Sequence, residues 1–474
     1  LLELLTEANA NIRQGVDPQL LAQERSLQQQ LNDLDRRRYE LTSSQYSETA
    51  LNRIKQNIDN TLSQLKQLEA QIRVASPRYA NLKYPQPLTL AEIQQQVLDD
   101  DTILLEYSLG PERSYLWAVT KNTITSYQLP NQKEIEAAAQ TFRVSLTQNS
   151  TATLETGIPL SQILLTPVAA QLGQKRLLIV GDGVLQYIPF AALPLPSSPT
   201  TPLLVQNEIV TLPSASTIAL QRQQLQNRSP AAKTLAVLAN PVFSINDSRF
   251  TSNSPQQTPE TPDNYALNRA ARNLGIGENA TAFSPLPFTR TEAEKILALI
   301  PETQGLKALD FNASRTQATA PDLAQYQMVH FATHGFLDSV NPELSGLVLS
   351  LFNEKGESQD GFLRLHDIFN LNLPAELVVL SACKTGLGEN VKGEGIVGLT
   401  RGFMYAGARR VVVSLWSVND LATSEVMSKF YQKMLEEGQN PVTALREAQL
   451  EMWNSAQWQS PYYWAAFTIQ GDWR

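Results

Sequence analysis

The sequence predicts an α/β fold, a mainly parallel sheet with helices on both faces, preceded by a helical segment. Three observations carry this. Continuous apolar runs of strand length, such as "KTLAVLANPVF" and "AELVVLSAC", are what strands buried on both faces require. They alternate with helical stretches such as "LATSEVMSKFYQKMLEEG" and "NPVTALREAQLEMWNS", the pattern of strand-helix-strand crossovers. The first 75 or so residues are rich in Gln, Leu and Asn and carry almost no strand signal.

Within residues 1–75, Leu51, Ile54, Ile58, Leu62, Leu65, Leu68 and Ile72 recur at spacings of three and four, which makes one helical face apolar. Leu27, Leu31 and Leu34 give an earlier helix a similar stripe. Two antiparallel helices are expected, either an accessory hairpin or the tail of a helical repeat array. "SPRYANLKYPQPLT" then reads as a linker. A mixed α/β unit spans 76–229. In it "TILLEYSLGPERSYLWAVT" predicts a hairpin around Gly110-Pro111, and "KRLLIVGDGVLQYIPFAAL" a buried strand with a turn at Gly181-Asp182-Gly183. Residues 230–474 form the third unit. A polar, proline-bearing loop follows its first strand from about 244 to 288, the type of segment that is mobile and easily cut. The next helix opens at "TRTEAEKILALI", where Thr289 and Glu292 match a capping box. Further strands are "LKALDF", "QMVHFATHG", "AELVVLSAC", "RRVVVSLWSV" and the terminal "YYWAAFTIQG".

Composition narrows the chemistry. The 474 residues, 42% of them hydrophobic, suffice for two or three cored domains. A net charge of -8 without a basic run makes nucleic acid a poor partner. One cysteine excludes an internal disulfide, and with only three histidines a structural zinc site is not expected. The lone thiol fits a reducing, cytoplasmic setting. No stretch of about 18 apolar residues predicts a membrane span. The chain opens on "LLELLTEANANIRQG" without an initiator methionine, as a processed or excised chain would.

In open α/β sheets function gathers at the carboxyl ends of the strands. Two reactive side chains fall there: His334 ends "VHFATHG", and Cys383 ends "VVLSAC". They lie 49 residues apart, close to the roughly 50 of caspases. Imidazole accepts a thiol proton, and the thiolate attacks a carbonyl carbon. The N–H groups of Gly335 and of Cys383 itself are candidates for the oxyanion. Against this, a lone cysteine ending an apolar strand is usually structural, and the His-Gly at the matching strand end tips the balance. His330 reads as a core histidine and His366 as structural or surface. "GEGIVG" (Gly393, Gly395, Gly398) matches a dinucleotide fingerprint only formally, because a loop separates it from the strand and Glu394 sits where a pyrophosphate would go. These glycines are expected to pack the following helix instead. Asp420, ahead of a helix, reads as an N-cap or a pocket wall.

"VHFATHG", "VVLSACKTG", "GEGIVGLTRGFMYAGARRVVVSLWSVND" and "PYYWAAFTIQG" together resemble the bacterial CHAT domain, a caspase-like peptidase domain often attached to tetratricopeptide repeats. The resemblance is specific from about 231 and looser over 76–229. It implies tandem caspase-like halves, the first noncatalytic, in keeping with the absence of His and Cys from 76–229. It assigns the general base to His334 and the nucleophile to Cys383. Related families that cut after Arg or Lys place an acidic residue two before the cysteine; here that position is Ser381, and Asp338 or Asp420 would have to compensate. Lys384 stands where the family commonly has glutamate. The reading is thus a regulatory cysteine endopeptidase acting on a protein substrate, free of metal or organic cofactor, with a partner received by the N-terminal helices. Two other readings stay open: a caspase-like interaction module with an inert Cys383, and another thiol enzyme such as an acyltransferase or amidase. The loop from 244 to 288 is expected to act as a lid or processing segment.

Overall fold

Strands form in this chain where Val, Leu, Ile and Ala run without interruption, because such runs can bury both faces. The computed structural model describes residues 18–42, 48–75, 87–225, 228–250, 283–336, 345–381, 395–416 and 418–474. Its strands, in chain order, are β1 (Thr102–Ser108), β2 (Ser114–Val119), β3 (Ile124–Leu129), β4 (Arg176–Val180), β5 (Pro194–Leu195), β6 (Ser198–Pro202), β7 (Ile209–Thr211) and β8 (Lys233–Ala239). Then follow β9 (Gly305–Leu309), β10 (Tyr326–Ala332), β11 (Gly335–Phe336), β12 (Gly346–Val348), β13 (Phe362–Arg364), β14 (Leu377–Leu380), β15 (Arg410–Ser414) and β16 (Phe467–Gly471).

Eleven of them make one sheet in the order β3-β2-β1-β4-β7-β16-β15-β14-β10-β8-β9. Pairing is antiparallel at β1–β2, β2–β3 and β15–β16. The remaining neighbours are parallel. Two halves, β1 to β7 and β8 to β16, therefore meet edge to edge, with Gln470 opposite Thr211. A single apolar core runs through both. The predicted strands and the hairpin at Gly110-Pro111 are all present, whereas β3 and the three-residue β7 had no recognisable signal. Of "YYWAAFTIQG" only Phe467–Gly471 is strand; Pro461–Trp464 is a helical turn.

The N-terminal helices, α1 (Pro18–Thr42) and α2 (Glu48–Ala75), pair along the predicted stripe. Leu31, Leu34, Ile54 and Ile58 are buried together, with Leu62 and Leu65 against them. Arg364 Nε meets Asp35 at 3.3 Å and ties α1 to the α/β body.

Four further helices set the site: α3 (Pro287–Leu297), α4 (Gly395–Tyr405), α5 (Asp420–Leu435) and α6 (Pro441–Trp453). Side chains alternate along β10, so His330 meets Tyr431 of α5 on one face and Phe331 meets Phe403 of α4 on the other. In α4 the close approach falls at Gly402, where a Cβ would lie 2.8 Å from Leu365.

Two expected caps are corrected. Helix α3 begins at Pro287, preset for a first helical position, with Leu286 as its cap residue. Thr289 and Glu292 thus lie inside the helix and are buried, so they form no capping box. At α5 the capping side chain is Asn419, which accepts from the N–H groups of Leu421 and Ala422; Asp420 is the first helical residue. The loop predicted for 244–288 leaves the sheet earlier, after Ala239, and gives way to α3 at Pro287. Val242, Phe243 and Leu286 are buried in a satellite cluster with Ile245, Phe250 and Phe283 packed against it.

Candidate active site

β10 and β14 are parallel neighbours in register, Phe331 opposite Leu380, and the Ser381 N–H extends the ladder to the Phe331 carbonyl at 3.0 Å. Both strands therefore reach the same edge of the sheet together. Beyond Ala332 the chain turns into a small antiparallel sheet, β11-β12-β13. Its first bond is at the turn itself: the Val348 N–H donates to the His334 carbonyl at 2.8 Å. The Thr333 hydroxyl donates to the Val348 carbonyl. This fastens the backbone on either side of the histidine.

The His334 side chain is 3% exposed. Its ring lies against Phe243 and Phe283, with centroids 5.1 and 5.6 Å away. Nε2 is 2.8 Å from the Ser284 carbonyl oxygen. A carbonyl can only accept, so Nε2 carries the proton, and the lone pair of the neutral ring is at Nδ1. A backbone dipole thus does the orienting that a carboxylate does in many histidine-dependent sites. Sequence reasoning missed Ser284, because a backbone carbonyl leaves no residue signature.

Gly335 pairs with Leu347 across β11–β12. Since Val348 N–H reaches the residue before it, the pair is of the widely spaced kind, in which the residue's own N–H points away from the partner strand. That N–H faces the outer edge of the small sheet.

Ser381, two positions before Cys383, is buried, and its Oγ lies 3.1 Å from His330 Nε2. Its hydroxyl is turned into the core. His330 is wholly buried and also touches Tyr431 Oη and Glu292, as a satisfied core histidine should. Burial, with the Glu292 charge adding to it, holds the Tyr431 phenol well above its ordinary pKa. Asp420 is half-buried at the start of α5. Cys383, Asp338, Lys384, Gly393 and Glu394 lie outside the described residues, as does the side chain of His366 on the short helix Leu365–Phe369.

A polar clamp holds the chain where it leaves β8. Arg249 donates to Asp247, Asp310 and the carbonyls of Asn240 and Pro241. Asp310 also accepts from Asn240 Nδ2 and from Arg290. The Arg249 guanidinium keeps the Asp247 carboxyl below its usual range, against a smaller opposing effect of burial. Among the described residues no group of three or more His, Cys, Asp or Glu is placed to hold a metal ion, and no helix is long and apolar enough to cross a membrane.

Human tetratricopeptide repeat protein 28 is 26% identical over 332 residues, 63% of this chain and 12% of that protein. The mouse protein of the same name is 29% identical over 224 residues, 40% of this chain and 9% of that protein. The chain thus spans only a small part of the curated relatives it matches. Among solved structures, separase from the Saccharomyces cerevisiae separase-securin complex aligns with 95% of this chain and 37% of its own, at 10% identity and a TM-score of 0.49. Porphyromonas gingivalis RgpB, in a complex of its pro- and mature domains, aligns with 72% of this chain and 77% of its own, at 10% identity and a TM-score of 0.36. The CHAT domain family model matches residues 154–472, well over half the sequence, and the chain belongs to that family.

Proposed function

We propose that this CHAT domain is a cysteine endopeptidase in which His334 is the general base and Cys383 the nucleophile. The observation that carries the reading is the Ser284 carbonyl on His334 Nε2, which puts the basic lone pair on Nδ1, at the sheet edge where β10 and β14 end side by side. Nδ1 takes the Cys383 proton, and the thiolate sulfur bonds to the scissile carbonyl carbon. The Gly335 and Cys383 N–H groups receive the oxyanion. As the tetrahedral intermediate collapses, the imidazolium returns its proton to the leaving amine, and water then hydrolyses the thioester. The Ser284 carbonyl accepts from Nε2–H throughout and steadies the imidazolium.

The substrate is a protein, and residues 76–229 form a noncatalytic half. Ser381 supplies no charge to a pocket for the residue before the scissile bond, because its hydroxyl meets His330. Asp420, and Asp338 beyond the described residues, are the remaining acidic candidates for that pocket. The α1–α2 hairpin belongs to a helical array that receives a regulatory partner, in line with the tetratricopeptide repeat proteins among its relatives.

The test uses the single thiol. Iodoacetamide labelling is followed across pH in the wild type and in His334→Ala. The expected result is fast labelling well below the ordinary thiol pKa of about 8.5, lost in the variant. Labelling that titrates near 8.5 and ignores His334 overturns the reading and favours an interaction module.

A further inference from the structure

Next to the dyad strand ends lies a cluster that the proposed chemistry leaves unused. His330 has Nδ1 3.1 Å from Tyr431 Oη and Nε2 3.1 Å from Ser381 Oγ. The same Nε2 is 2.8 Å from Glu292 Oε1. Glu292 is 1% exposed, yet neither of its carboxylate oxygens meets an aligned hydrogen-bond donor among the described residues. The contact with His330 is therefore close but off-line, with Nε2 shared between the serine and the carboxylate. A buried carboxylate this poorly supplied with donors is rare and calls for a role.

The network fixes its own polarity. The Tyr431 phenol keeps its proton, because burial and the nearby Glu292 charge both oppose ionisation. The Glu292 carboxylate beside Nε2 can only accept, so Nε2 bears the N–H that faces Ser381 and Glu292, and Nδ1 accepts from the phenol.

Each partner leads to a different part of the site. Glu292 sits on α3, and the segment entering α3 supplies the Ser284 carbonyl that orients His334. Ser381 is the last described residue before Cys383 and is pinned twice, by its N–H to Phe331 and by its hydroxyl to His330. One imidazole thus joins the helix that places the base to the strand end that carries the nucleophile.

We propose that His330 and Glu292 are positioning residues that lock α3 to Ser381 and so set the spacing between His334 and Cys383. This rests on the dyad reading above. The test compares Ser381→Ala, His330→Phe, Glu292→Leu and Glu292→Gln in the full chain with two readouts. The first is the pH profile of Cys383 alkylation; the second is amide hydrogen exchange at 284–297 and 377–381. The first three variants are expected to move the profile up by about one unit toward 8.5. They should also raise exchange about fivefold in both segments together. Glu292→Gln keeps an oxygen for the Nε2–H and should recover most of the wild-type behaviour. A folded Ser381→Ala protein with wild-type profile and exchange overturns the proposal, and it decides the matter if His330→Phe does not fold. If wild-type labelling already ignores His334→Ala, the dyad reading fails on its own. Exchange then still decides: a coupled rise in both segments upholds the lock, and unchanged exchange removes it.

Discussion

The carboxyl ends of the parallel strands finish very differently in the two halves, and because β15 and β16 are antiparallel these ends lie on opposite edges of one continuous sheet. In the N-terminal half, β4 runs into Gly181-Asp182-Gly183 and the edge is closed by local structure. The Asp182 carboxylate accepts from the Leu109 N–H at 2.8 Å, and Gln186 donates back to the Gly181 carbonyl. Gly183 takes a φ of 53°, which glycine adopts without strain. A side chain at Gly181 would press on the Leu185–Gln186 backbone. In the C-terminal half the strands end on the opposite edge, which holds a buried imidazole between two phenylalanines, with long connections leaving β8, β10 and β14. The difference teaches that both halves bring parallel strands to a carboxyl edge, and that what fills each edge decides what it can do.

The largest effect that bears on this contrast is His334→Ala. Removing a general base typically costs 10²–10⁴-fold, so peptide turnover should fall by about 10³-fold while circular dichroism still reports the folded sheet. Turnover within a few-fold of wild type would erase the distinction between the halves.

Arg143 tests whether the halves act independently. It donates to the Tyr187 carbonyl in the first half and to the Leu415 carbonyl just beyond β15 in the second. Burial pulls its pKa down, so it is held there against a desolvation cost. Arg143→Met strands both carbonyls and is expected to cost about 2 kcal/mol by chemical denaturation. Because Leu415 leads toward Asp420, KM should rise more than kcat falls. An unchanged KM would make the bridge purely structural.

Asp182→Ala sharpens the contrast from the other side. Losing one charge-assisted hydrogen bond at a half-buried turn should cost about 1 kcal/mol and leave Cys383 alkylation as in the wild type. A slower alkylation rate would mean that the N-terminal edge contributes to the reactive one.

How much of this was legible in the sequence differs between the halves for physical reasons. The apolar runs of β4, β8, β10, β14 and β15 announce themselves because strands buried on both faces need unbroken aliphatic stretches. β3 does not: "ITSYQL" alternates exposed and half-buried residues at a sheet edge, a weak and polar signal. The three residues of β7 are too few to read, and with them went the seam that makes one sheet of two halves. His334 and Cys383 stood out as reactive residues at strand ends. Glu292 was misread because Thr-x-x-Glu before an apolar run is also how a capping box looks. Pro287, two residues before Thr289, was the cue that the helix had already begun, which turns Glu292 inward toward His330.

The smallest expected effect concerns the clamp where the C-terminal half opens. Arg249 holds Asp247 through paired hydrogen bonds and reaches Asp310 at the end of β9, so the chain leaving β8 is tied down before it departs from the edge. The Asp247 carboxyl has its pKa lowered on folding, so its contribution is present above the ordinary carboxylate value of about 4 and is lost as pH falls through the lower folded value. Between pH 5 and 8 the clamp should not respond. Below about pH 4, amide exchange at 246–250, corrected for its intrinsic pH dependence, should rise before the sheet itself unfolds. In Arg249→Gln that acid-dependent step should be absent, since the charge partner that depresses the carboxyl has gone. The closed N-terminal edge, where Asp182 accepts a backbone N–H and has no arginine partner among the described residues, offers the internal control. If exchange at 181–187 rises in step with 246–250, acid is loosening the whole sheet and the clamp has no separate part in holding the chain that leaves β8.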